Sequence, residues 1–138
     1  MVGKCCGRCV NCVVDKPNDV GLDSYQTLAL TTANREGTAK TRLPNWSMGL
    51  AGESGELKYI LKKHVYHGHA LDMEAAKNEL GDVLWYVAVL ASELGFKLSE
   101  VAEANIEKLE KRYTNGFSRE ASINRAKEGV SQWVRRFC

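Results

Sequence analysis

The sequence predicts an all-α domain. Apolar residues recur at helical spacing, as Leu50, Leu57, Ile60 and Leu61 do. Capping and stopping residues punctuate those runs. No β-rich segment of alternating apolar and polar residues competes, and neither internal repeats nor low-complexity runs occur. At 138 residues the chain has the length of one domain and the composition of an ordinary globular protein.

Each element has a local reason. Residues 1–20 read as an extension ending in the turn-forming Lys16-Pro17-Asn18-Asp19. Asp23 or Ser24 can cap a first helix over about 24–35, with Tyr25, Leu28 and Ala29 toward a core. Glu36-Gly37-Thr38 breaks it. Pro44 suits the first turn of a second helix running to about Lys63. Val65-Tyr66-His67-Gly68-His69 then reads as a loop. Asp72 can cap a third helix that Ala75 and Ala76 support and Gly95 stops after about Leu94. That helix is apolar nearly all round from Val83 to Ala91, so burial on most sides is expected. Leu98-Ser99-Glu100 starts a fourth helix, with Ser99 resembling its cap and acidic residues in the first turn. Val101, Ala102, Asn105, Ile106 and Leu109 are its expected inner stripe, and Asn115-Gly116 ends it. A short fifth helix is expected over about 119–136.

Charge and cysteine narrow the function classes. The net charge of +2 divides into +1 over residues 1–20, −2 over 21–117 and +3 over 118–138. Three net charges in a tail are too few to argue nucleic-acid binding. No apolar run approaches the roughly 20 residues that span a bilayer. The start has no apolar stretch of a signal peptide, so a cytoplasmic location is expected. Cys5, Cys6, Cys9 and Cys12 cluster at one end, with Cys138 far away, unlike a secreted disulfide framework. The Cys6-x-x-Cys9-x-x-Cys12 spacing can hold a metal, but no second knuckle follows, and a reduced extension is the plainer reading.

Two carboxylate pairs carry the chemistry. Glu53 and Glu56 sit in Gly49-Leu-Ala-Gly-Glu-Ser-Gly-Glu-Leu57; Glu79 and Asp82 sit in Asn78-Glu-Leu-Gly-Asp-Val-Leu-Trp-Tyr86. The i, i+3 spacing puts each pair on one helix face. Four carboxylates gathered between helices repel and resist desolvation unless a cation neutralises them. Oxygen-only ligation selects a hard cation, Mg²⁺ or Mn²⁺ as substitute. Gly52, Gly55 and Gly81 stand beside the acids inside helices, where each costs about 1 kcal/mol relative to Ala. The expectation is that they let the two helices approach closely. Solvated faces are the competing reading. No Glu has His three residues later, which argues against an oxygen-activating di-iron site; His64, His67 and His69 fall in or beside the expected loop.

These motifs, with Lys62-Lys63 between them and Asn105-Ile-Glu-Lys108-Leu-Glu-Lys-Arg112-Tyr113 and Gly116-Phe117 after them, resemble the MazG-like nucleoside triphosphate pyrophosphohydrolases of the all-α NTP pyrophosphatase superfamily. The resemblance covers about residues 22–117. It divides the chain into a Cys-rich extension (1–20), a MazG-like catalytic helical domain (21–117) and a basic extension (118–138). It implies a four-helix core, Mg²⁺-dependent hydrolysis of a nucleoside triphosphate to monophosphate and pyrophosphate, and metal ligands Glu53, Glu56, Glu79 and Asp82. It implies substrate contacts for Asn105, Lys108 and Arg112, and less directly for Lys62 and Lys63. The chain departs from the family's common Tyr-Pro-x-Gly-Phe, having Tyr113-Thr114-Asn115-Gly116-Phe117.

The chemistry of the residues agrees with the resemblance. A triphosphate brings about four negative charges to an acidic site, so metal ions must bridge them. Metal coordination lowers the pKa of water, which can then attack the α-phosphorus in line, with Glu53 or Glu56 orienting it. Lys108 and Arg112 stand four apart, suited to β- and γ-phosphate oxygens, and Asn105 offers a donor and an acceptor. Trp46, Trp85 and Tyr86 are candidates to stack on the base, Trp46 foremost, against the plainer reading that they are core. The third helix carries more apolar face than a four-helix bundle covers, so a homodimer or a tetramer of dimers is expected. A nucleotide-sensing or partner-binding helical module with little turnover is the alternative function.

Overall fold

In a computed structural model of the chain, residues 20–114, 116–120, 122 and 123 are described. They form an all-helical domain: α1 (Leu22–Ala29), extended by a 3₁₀ turn at Leu30–Thr32, α2 (Ala39–His67), α3 (Met73–Glu93) and α4 (Leu98–Arg112). The clustered cysteines, Cys138 and most of the expected fifth helix lie outside the described residues; of that helix Arg119, Glu120, Ser122 and Ile123 are helical.

Several boundaries differ from expectation. The first helix starts at Leu22 with Gly21, not Asp23 or Ser24, at its cap, and it stops at Thr32, short of residue 35. The Thr31 and Thr32 hydroxyls donate to the Leu28 and Ala29 carbonyls, and the Trp85 indole N–H also reaches Ala29 O. These bonds claim acceptors that a continuing helix would use. The second helix begins at Ala39, leaving Pro44 inside it. Thr38 is the cap, and its N–H donates to Thr41 Oγ1 at 3.2 Å. Pro44 gives up the N–H that would have reached the carbonyl four residues back, and its ring crowds that carbonyl. At its other end α2 runs through Val65, Tyr66 and His67, where a loop was expected. Gly68 ends it in the left-handed region at φ 72°, and the His69 N–H reaches back to Lys63 O. Asp72 caps α3 as expected, its carboxylate accepting from Ala75 N at 2.9 Å, and Gly95 (φ 84°) turns the chain after Leu94.

The α2–α3 hairpin is the frame, and its antiparallel register repeats every seven residues. Arg42 of α2 pairs with Glu93 of α3 at 2.7 Å. Seven residues on, Gly49 lies under the ring of Tyr86. Seven further, Glu56 meets Glu79. Seven further still, Lys63 and Asp72 line one small cavity near the turn. Seven residues make two helical turns, so one face of each helix keeps returning to the seam.

Helices α1 and α4 close one side. Ala29, Ala88, Ala91 and Leu98 form the buried centre, with Tyr25, Trp85 and Val87 packed on it. Gln26 is the buried polar joint: its side-chain amide donates to Ala88 O and Phe96 O and accepts from Leu98 N. The N-terminus of α4 is held from α1, because the Asp23 carboxylate accepts both the N–H and the hydroxyl of Ser99. Ser99 is therefore a capped residue inside the first turn, not the cap. The expected inner stripe of α4 is largely uncovered by the other described residues. Ala102 is half-buried, whereas Val101, Asn105, Ile106 and Leu109 are exposed. Burial on most sides of α3 is reached at Ala88, Val89 and Ala91, while Leu80 and Leu84 stay exposed.

Candidate active site

The seam brings three of the four predicted ligands together. Glu53, Glu56 and Glu79 each place a carboxylate oxygen so that all three oxygens lie within 4.8 Å of one another. Glu53 and Glu79 are half-buried and Glu56 is exposed. Desolvation, then the charges of Glu56, Glu53 and Asp82, and a hydrogen bond shared with Glu53, push the Glu79 carboxyl above its ordinary range. Mutual repulsion of this kind is what a bound cation relieves. The all-oxygen donor set fits a hard divalent ion. Asp82 lies outside the three-oxygen cluster and is exposed. Its charge is felt on the α1 side of α3: the Tyr25 phenol is raised first by burial and then by Asp82. The sequence assigned Tyr25 to the core, and only the packing of α1 on α3 reveals this neighbour.

The glycines divide differently from expectation. A Cβ on Gly52, Gly55 or Gly81 would meet no atom within 4 Å, so these three do not mediate helix contact. Gly52 and Gly55 instead floor an open depression of about 360 Å³, lined also by Glu56, Tyr59, Ile60 and Glu79. Close approach occurs at Gly49, where a Cβ would fall 2.2 Å from Cε1 of Tyr86. The bare stretch of α2 therefore leaves room beside the carboxylates, while the tight contact lies one layer away.

The aromatic candidates are packed among themselves. Trp46 is 5% exposed, with its ring edge-on to Trp85 at 5.6 Å and tilted against Tyr86 at 6.3 Å. Its indole N–H is buried and unpartnered among the described residues. Trp85 donates to Ala29 O and Thr32 Oγ1. Tyr86 is half-buried over Gly49. This is core packing, and the cluster stiffens the layer next to the acids.

The basic candidates lie apart. Lys62 is exposed; Lys63 places Nζ 4.4 Å from the ring centroid of Tyr59. Asn105 and Lys108 line a different cavity, an apolar groove of about 840 Å³ shared with Leu84, Val87 and Val101. Arg112 lies over the ring of Tyr113 at 5.9 Å. His64, His67 and His69 are exposed, and His64 Nδ1 bonds His69 O at 2.9 Å. The sequence reading passed over Tyr59; the signal available was its place one turn beyond Glu56 on the same face.

An all-helical bundle with three glutamate oxygens converging on a two-helix seam has a donor set that suits a hard cation, and the comparisons place the chain more narrowly. Residues 45–117 match the model of the MazG nucleotide pyrophosphohydrolase domain. The chain is 35% identical over 112 residues to the Gene 37 protein of Mycobacterium phage L5, covering 75% of this chain and 98% of that protein. No solved structure matches it. The chain belongs to the MazG nucleotide pyrophosphohydrolase domain family. Nucleotide pyrophosphohydrolysis is thus its activity in general terms. No helix among the described residues is long and apolar enough to cross a membrane.

Proposed function

We propose that the protein hydrolyses a nucleoside triphosphate to the monophosphate and pyrophosphate, with Mg²⁺ held by Glu53, Glu56 and Glu79 and with Asp82 joining them. The observation that carries this reading is the convergence of three carboxylate oxygens within 4.8 Å, at the cost of a raised Glu79 pKa. When bound, the ion would neutralise phosphate charge and make water a stronger nucleophile at neutral pH. Mn²⁺ offers the same hard coordination. Glu53 or Glu56 then orients the attacking water toward the α-phosphorus, and Lys62 and Lys63 offer positive charge to the phosphates. Asn105, Lys108 and Arg112 complete substrate binding when a second copy covers the α3–α4 groove, in a homodimer or a tetramer of dimers. The catalytic unit is residues 21–117, with residues 1–20 and 118–138 as extensions.

Pyrophosphate release from ribo-, deoxyribo- and modified nucleoside triphosphates, with Mg²⁺ and with chelator, tests the proposal. Release should require metal and be lost in Glu56→Ala and Asp82→Ala. The second reading, a nucleotide-binding module with little turnover, draws on the separation of Asn105 and Lys108 from the carboxylate depression within one chain. Metal-dependent binding without release from any substrate would replace the hydrolase by that module.

A further inference from the structure

We infer that Tyr59 is the stacking platform for the nucleobase, and that Lys63, which lies over its ring, exchanges that ring for phosphate oxygens when a nucleotide binds. The inference rests on the nucleotide reading of the carboxylate site. Tyr59 stands one turn beyond Glu56 on the same face of α2, roughly 4.5 Å further along the axis. It lines the same depression as Glu56 and Glu79, whose floor Gly52 and Gly55 leave bare. It is 53% exposed, so its ring is not part of the core. The neighbouring aromatics are already engaged with one another: Trp46 and Trp85 meet edge-on, and Tyr86 covers Gly49. Among the described residues, Tyr59 is the exposed ring lining the depression beside the acids.

Lys63 explains how the platform and the phosphate site communicate. One turn beyond Tyr59, its side chain leans back toward the N-terminus of α2, as helical side chains do, and places Nζ 4.4 Å from the ring centroid. A cation over an exposed phenol ring is weakly held. A phosphate oxygen offers a charge-assisted bond that is stronger. The triphosphate therefore draws the ammonium away and leaves the ring to the base. A platform of this kind reads stacking area rather than hydrogen-bonding edges, so it tolerates every base and favours the larger purine surface.

Calorimetric binding to the full-length chain with Mg²⁺ tests this, using α,β-imido purine and pyrimidine nucleoside triphosphates and inorganic tripolyphosphate. Tyr59→Ala should weaken the purine nucleotide about tenfold and the pyrimidine less, while tripolyphosphate changes by under about twofold. Tyr59→Phe keeps the ring and should recover the nucleotide affinity. Lys63→Met should weaken all three ligands. Unchanged nucleotide affinity in Tyr59→Ala, or an equal loss for tripolyphosphate, overturns the inference. Tyr59-dependent binding without pyrophosphate release would reject the hydrolase and keep the platform. Release with a KM indifferent to Tyr59→Ala would do the reverse, and a chain that binds neither nucleotide would remove both.

Discussion

Glycine has opposite uses at positions that look alike. Gly49 and Gly81 both lie inside helices, where glycine gives up about 1 kcal/mol against alanine. At Gly49 the missing Cβ is required, because Tyr86 occupies its space. At Gly81 a Cβ would stand in the open. Gly49→Ala should therefore destabilise the protein by about 1–3 kcal/mol as the ring is displaced. Gly81→Ala should stabilise it by up to about 1 kcal/mol. Urea denaturation of the two variants checks both signs; equal effects would mean that the Tyr86 contact is not tight.

The helices are tied by carboxylates whose titrations oppose one another. Asp23 binds the first turn of α4, and the Ser99 N–H and hydroxyl hold its pKa below the ordinary 3.8. Glu93 closes the Arg42 end of the α2–α3 hairpin, and the guanidinium holds it below 4.5. A lowered pKa in the folded state gives stability that is complete above the ordinary value and lost as pH falls through it toward the lowered one. Glu79 has the reverse sign: its raised pKa means that protonation relieves repulsion, so stability rises as pH falls through that raised value. Acidification of the metal-free protein should first raise the melting temperature, then lower it. Glu79→Gln should raise the neutral-pH melting temperature without metal and abolish the first phase. Asp23→Asn should weaken the second. Melting curves across the acid range decide this, and a Glu79→Gln variant that melts below wild type would contradict it.

At the scale of the whole fold, the described residues leave an apolar face uncovered. Leu84 is 41% exposed, Val101 38% and Phe96 53%, lining the groove of about 840 Å³ between α1, α3 and α4. This is the face on which the proposed second copy would dock. Sedimentation of the full-length chain should give a dimer or a tetramer. Leu84→Glu should shift it to monomer and reduce turnover with the carboxylates untouched. A fully active monomeric wild type would contradict the shared site.

Much of this architecture was legible because its causes are local. Asp72 caps a turn that follows it immediately, and Gly95 stops α3 through its own backbone freedom, so both ends of α3 were read correctly. The i, i+3 spacing of Glu53/Glu56 and Glu79/Asp82 already put each pair on one face, and helical periodicity excluded strands. Other features depend on which residue of one helix meets which residue of another. The seven-residue register from Arg42–Glu93 to Lys63–Asp72 separates Gly49 from Gly52, Gly55 and Gly81, which local pattern treats alike. It gathers Glu53, Glu56 and Glu79 while leaving Asp82 beside them. It packs Trp46 against Trp85 and Tyr86, lays Tyr86 over Gly49, and brings Asp23 to the first turn of a distant helix. Spacing along a helix fixes which side chains share a face, but it carries no information on the partner brought opposite that face. Side-chain packing across the seam supplies that, and the arrangement of the site depends on it.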